Sequence, residues 1–189
     1  MPKTLKQLLA TDRKLARGFQ SVQDHTHYKM LGGKDSFTRL VVFDIDDTIF
    51  ESVGTYEKDY DLKKFIKDNS LWNNLFLKKL PLFQKVNDFY LMKSYVVIQT
   101  ARASRWWLKP LLRYRYGLLF HELIQRPVEN DMSSNDLKRE QLIQFIMNHK
   151  EFSGKYFHKI FVDDSKANRD SVESIGWSVY NSNYYNGVK

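Results

Sequence analysis

Leu40-Val41-Val42-Phe43-Asp44-Ile45-Asp46-Asp47-Thr48 sets a short apolar run against two carboxylates two positions apart. The run is partly β-branched and flanked by polar residues, which predicts an inner strand of a parallel sheet opening into a loop. Sheets of the α/β kind place their chemistry at that carboxyl end. Asp44, Asp46, Asp47 and Thr48 then crowd negative charge, which costs free energy unless a cation neutralises it. Taken alone, the segment also reads as an ordinary acidic turn after a strand.

Two further runs repeat the pattern. Residues 95–99 are apolar and strand-like, and they end in Thr100, Ala101 and Arg102, a hydroxyl and a guanidinium suited to phosphate oxygens. Residues 159–162 end in Asp163, Asp164 and Ser165. Between these runs Lys138 stands near the start of a segment in which Leu137, Leu142, Phe145 and Ile146 recur at helical spacing. Residues 81–93 predict a helix with Pro81 in its first turn and Leu82, Val86 and Phe89 facing inward. Residues 123–125 are strand-like, 166–176 predict a helix closed by Gly176, and 177–180 a last strand. Strands alternating with helices predict an α/β fold, a parallel sheet in a Rossmann-like sandwich.

On these residues the chain resembles the haloacid dehalogenase (HAD) superfamily of phosphohydrolases. Its first motif, Asp-x-Asp-x-Thr after a hydrophobic strand, is matched by Asp44, Asp46 and Thr48. The second, a Thr or Ser ending a strand, matches Thr100; the third, a helix lysine, best matches Lys138, with Lys155 and Lys159 as rivals. The fourth, an acidic pair after a strand, matches Asp163 and Asp164, and the resemblance covers roughly residues 38–181. It implies that Asp44 attacks phosphorus and forms an aspartyl-phosphate, that Asp46 serves as acid and then base, and that Thr100 and Lys138 bind the phosphoryl oxygens. Magnesium is implied at Asp44, the Asp46 carbonyl, and Asp163 or Asp164. Thr48 either satisfies backbone groups of its loop or contacts substrate, and Arg102 is expected to face the phosphate.

Composition bounds the rest. At 189 residues and 42% hydrophobic, the chain can bury one sizeable core with an appendage. Residues 1–37 read as a basic amphipathic helix and linker, its apolar stripe expected to pack on the domain or on a protein partner; residues 38–189 read as the HAD-like domain. The gap between Thr48 and Thr100 leaves room for a small helical flap at about residues 50–80, and hence a minimal cap or none. Zero cysteines exclude thiolate metal sites and a cysteine nucleophile. No run is long enough to span a bilayer and none reads as a signal peptide, so no membrane association and a cytoplasmic location are expected.

The net charge of +8 points to a polyanionic partner or substrate. Residues 1–39 carry eight Lys or Arg against three Asp. Residues 102–116 carry Arg102, Arg105, Lys109, Arg113 and Arg115 beside Trp106, Trp107, Tyr114 and Tyr116, with no acid among them. Such a stretch can track a nucleic-acid backbone and stack bases, or place Trp106, Leu108, Leu111 and Leu112 in a core with a solvated basic face. Thr100-Ala101-Arg102, Arg126-Pro127 and the stretch to Lys138 are also similar to the 3′-phosphatase module of polynucleotide kinase-phosphatases. The chain departs from that module in having no basic residue between Thr48 and Lys58, and Ser134 where an acid is expected. The expected substrate is a nucleic-acid 3′-phosphate end. A nucleotidase, a broad small-molecule phosphatase and a receiver-like phosphoacceptor switch are the alternatives.

Overall fold

The computed structural model of the protein describes residues 37, 39–51, 74–92, 94–154 and 157–187. The expected N-terminal helix, and the expected flap between residues 52 and 73, lie outside the described residues.

The apolar runs form strands where their patterns place them. In chain order the elements are β1 (Arg39–Phe43), α1 (Leu82–Leu91), β2 (Ser94–Ala103), α2 (Leu108–Pro110) and β3 (Glu122–Arg126). They continue with α3 (Ser134–Asn148), β4 (His158–Asp163), α4 (Lys166–Glu173), β5 (Ser178–Asn181) and α5 (Asn183–Asn186). The strands make one parallel sheet in the order β3-β2-β1-β4-β5. Parallel neighbours need crossovers, and the intervening helices supply them on both faces.

β1 lies at the centre, between β2 and β4, and all five of its residues are buried. Its alternation divides the core. Val41 and Phe43 join Val86 and Phe89 of α1 and Leu108 of α2 on one face. Leu40 and Val42 join Leu142 and Phe145 of α3 and Val172 of α4 on the other. A strand covered on both faces carries an apolar run, here Leu40 to Phe43 after the buried Arg39, and each fully buried apolar side chain of this size contributes roughly 1.5–3 kcal/mol. The chain runs outward from β1 through β2 to β3, then crosses back to β4. That reversal beside β1 opens a crevice at the carboxyl ends of the strands.

Three details differ from the sequence expectation. β2 runs past Gln99 to Ala103, because pairing with β3 carries it through the polar residues, with a register irregularity between Thr100 and Ala103. α3 begins at Ser134, ahead of its apolar stripe, since Ser133 caps it by accepting from the Asp136 N–H at 3.3 Å. Pro110 is the last residue of α2. Having no N–H, it cannot continue the regular ladder, and the chain widens into a π-helical turn at Leu111–Arg115. The helix over 166–176 is regular to Glu173 and turns out at Gly176, whose φ of +84° suits glycine.

Candidate active site

The loop after β1 is wound tightly. Asp47 takes a left-handed φ of +51°, which aspartate tolerates better than most residues, and its N–H donates to Phe50 O at 2.8 Å. Ile49 and Phe50 N–H groups both donate to Ile45 O at 3.0 Å. Phe50 bridges Lys79 in antiparallel fashion and Glu51 N–H donates to Lys78 O at 2.9 Å, which brings the two ends of the expected flap together. The loop is thereby turned back over the carboxyl end of β1, where Asp44 is 4% exposed.

Lys138 reaches this point from the first turns of α3. It is 1% exposed, and its Nζ lies 2.7 Å from Asp44 Oδ1 and 2.7 Å from Asp163 Oδ2. An isolated ammonium would not survive such burial. Burial opposes the charge of Lys138, but Asp44 and Asp163 outweigh it and hold the group protonated. Burial raises the Asp44 carboxyl well above the ordinary range; Lys138 pulls it down, while Asp163 and Asp46 add to the rise. One cation thus serves more than one buried carboxylate.

Asp163, at the end of β4, is fully buried and saturated with donors. Beyond Lys138 it accepts from the Ser165 N–H at 2.8 Å and from Asn168 Nδ2 at 3.0 and 3.1 Å. Arg169 donates to the carbonyls of Asp163 at 2.7 Å and Asp164 at 2.5 Å. The Asp164 carboxyl is half-buried and pushed up to about 6, by burial first and then by Asp163. Thr48 is fully buried: its Oγ1 accepts from the Asp164 N–H at 3.1 Å and lies 3.4 Å from Ser182 Oγ. Its hydroxyl ties the β1 loop to the β4 loop.

Arg102 is held by Asp46 and Asn74. It is 4% exposed, its Nε donates to Asp46 Oδ2 at 2.9 Å, its Nη2 pairs with Asp46 Oδ1, and its Nη1 donates to Asn74 Oδ1. The planar guanidinium fork suits an acidic side chain in this bidentate way. Thr100 is fully buried and accepts from the Arg102 N–H at 3.1 Å. With Phe43 opposite Ile98, Thr100 stands two residues further along β2 than the partner of Phe43, beside the β1 loop. A hydroxyl that accepts one bond can still donate another.

The structure therefore gathers all eight singled-out residues at the carboxyl end of the sheet. It adds Asn168, Ser165, Arg169 and Asn74, which hold the acidic groups in place. The signal for Asn168 and Ser165 was faint: a polar turn directly after the acidic pair, at a helix start. Nothing local pointed to Asn74, which precedes Arg102 by 28 residues.

Asp44, Asp163 and Asp164 each offer a carboxylate oxygen, and the three atoms lie within 4.8 Å of one another. An all-oxygen donor set of this size, with one lysine against several acids, fits a hard divalent cation such as magnesium. The Asp46 carboxylate is turned to Arg102 and stands outside that group.

Comparison with known proteins identifies the fold. No family model matches the sequence, and no curated protein matches it. A chain of the Pnkp1/Rnl/Hen1 RNA repair complex superposes with a TM-score of 0.56 at 16% identity, covering 77% of this chain and 42% of that one. A second structure of the complex gives 0.53 at 15% identity, over 77% of this chain and 46% of that one. The chain thus spans less than half the length of these RNA-repair neighbours. A HAD-superfamily hydrolase, subfamily IA, from Geobacter sulfurreducens gives 0.51 at 13% identity, over 76% and 86% of the respective chains. The fold is HAD-like, a five-stranded parallel sheet with flanking helices. Among the described residues no helix is long and apolar enough to cross a membrane.

Proposed function

We propose that the protein is a magnesium-dependent phosphomonoester hydrolase. One observation carries this reading: Asp44 at the end of the central strand shares the buried Lys138 ammonium with Asp163, while Asp46, two residues on, is held apart by Arg102. Two neighbouring carboxylates in separate environments can take separate chemical roles.

Phosphate monoesters resist attack because the dianion repels nucleophiles and an alkoxide leaves poorly. An Asp44 carboxylate oxygen bonds to phosphorus as the bond to the leaving oxygen breaks, and Asp46 gives that oxygen its proton. Water then attacks the aspartyl-phosphate, Asp46 takes the water's proton, and inorganic phosphate departs with the Asp44 carboxylate restored. Lys138 and Thr100 hold the phosphoryl oxygens, and Arg102 orients Asp46. Asp44, the Asp46 carbonyl and one or both of Asp163 and Asp164 would hold magnesium, which supplies neutralisation of the phosphoryl charge when bound.

The substrate we infer is a nucleic-acid 3′-phosphate end. The likeness to a chain of an RNA repair complex and the acid-free basic stretch from Arg102 to Tyr116 support it. The test assays phosphate release with magnesium from 3′- and 5′-phosphorylated oligonucleotides, free nucleotides and an aryl phosphate. Preference for the 3′-phosphorylated oligonucleotide and loss of activity in excess chelator are expected. Preference for nucleotides would replace the substrate by the nucleotidase alternative, and full activity in chelator would remove the metal.

A further inference from the structure

The basic and aromatic residues after Arg102 are divided by the fold. Ser104 N–H donates to Arg126 O at 2.7 Å and Arg105 N–H to Gln125 Oε1 at 3.0 Å, which pins the β2–α2 loop to the carboxyl end of β3. Trp106 follows directly, four residues from Arg102, and is 87% exposed, although tryptophan ordinarily buries most of its area. Trp107, Leu108, Leu111, Leu112 and Tyr116 turn inward to the core. The helix then runs away from the site. Arg113 donates to Phe120 O at 2.8 Å and His121 O at 3.3 Å, and His121 N–H donates to Val96 O near the start of β2. Tyr114 is again 87% exposed, and Lys109 and Arg115 are exposed beside it. Tyr114 stands eight residues further along the chain than Trp106, past α2 and within the π-helical turn.

We infer that the outer face of α2 and its π-helical turn is a track for an unpaired nucleic-acid strand leaving the site, with Trp106 its first stacking surface and Tyr114 its last. The inference rests on the phosphomonoesterase reading and deepens it. Two exposed flat rings in a stretch of chain that carries cations and no acid suit alternating bases and phosphates. An acidic protein would need the cations but not the rings. The order along the helix predicts a dependence on substrate length, since a strand end in the site meets Trp106 before Tyr114.

The test compares Trp106→Ala and Tyr114→Ala on a 3′-phosphorylated dinucleotide, a longer 3′-phosphorylated single strand and an aryl phosphate. Binding of a labelled, unphosphorylated single strand is measured by fluorescence anisotropy beside it. Trp106→Ala is expected to raise KM on the order of tenfold for both nucleic acids. Tyr114→Ala raises it for the longer strand alone, and the aryl phosphate is unaffected by either. Trp106→Phe restores most of the loss. Both rings are exposed, so both variants fold. Equal KM in parent and Trp106→Ala on the longer strand, or equal damage to the aryl phosphate, would overturn the track. Ring-dependent strand binding without hydrolysis of any phosphate ester would keep the track and overturn the phosphatase reading instead.

Discussion

At the amino end of the sheet Tyr95 stacks on His121 with ring centroids 4.4 Å apart, and Phe152 packs against Tyr95 at 4.8 Å. At the carboxyl end of the same strands, Asp44, Lys138, Asp163 and Arg102 are buried together. Both ends close the sandwich, but the amino end relies mainly on rings and buries one charge at the start of β1, Arg39, where the carboxyl end gathers several. Rings contribute dispersion and area burial without desolvating charge. Buried ions must be taken out of water, and their mutual attraction barely offsets that cost, so a charged end is weak evidence for stability. The carboxyl end is therefore organised for something other than holding the fold together.

Substitutions should separate the two ends. The largest effect is expected at the charged end: Asp44→Asn and Asp46→Asn each lower phosphatase turnover by at least about a thousandfold, with circular dichroism unchanged. Next is Phe152→Ala at the aromatic end, where removal of a fully buried ring costs about 3 kcal/mol in chemical denaturation while kcat per folded molecule stays at the parent value. A fall in kcat there would mean that the two ends are coupled. Asn168→Ala leaves Asp163 short of a donor and is expected to weaken magnesium affinity about tenfold by titration calorimetry. Smallest is Tyr95→Phe, which removes the hydroxyl that bonds Glu122 and should cost about 1 kcal/mol with no change in magnesium affinity.

What was legible in the sequence follows the same division. β1 and β4 stood out because buried parallel strands carry an apolar run bounded by polar residues, and Asp44, Asp163 and Asp164 mark where the two stop. The extension of β2 was hidden, because Thr100, Ala101 and Arg102 have no strand-like pattern and are held by β3 and by Asp46. Lys138 could be placed from its helix. Its two carboxylate partners are far away in the chain, and so is the Asp46 partner of Arg102, 56 residues off; pairings at such distances leave no local periodicity. Trp106 shows the converse. One of the two readings grouped it with Leu108, Leu111 and Leu112 in a core, but it stands on the surface in the turn before α2 while those three are buried.

Attack by Asp44 on phosphorus is tested by acid-quenched rapid mixing of Asp46→Asn with an aryl phosphate whose phenolate leaves without protonation. Attack by Asp44 still proceeds, whereas hydrolysis of the aspartyl-phosphate lacks its base. A burst of about one equivalent of phenolate, with a phosphoryl group on the peptide that contains Asp44, is the predicted result. No burst and an unmodified Asp44 peptide, together with near-parent turnover in Asp44→Asn, would contradict it.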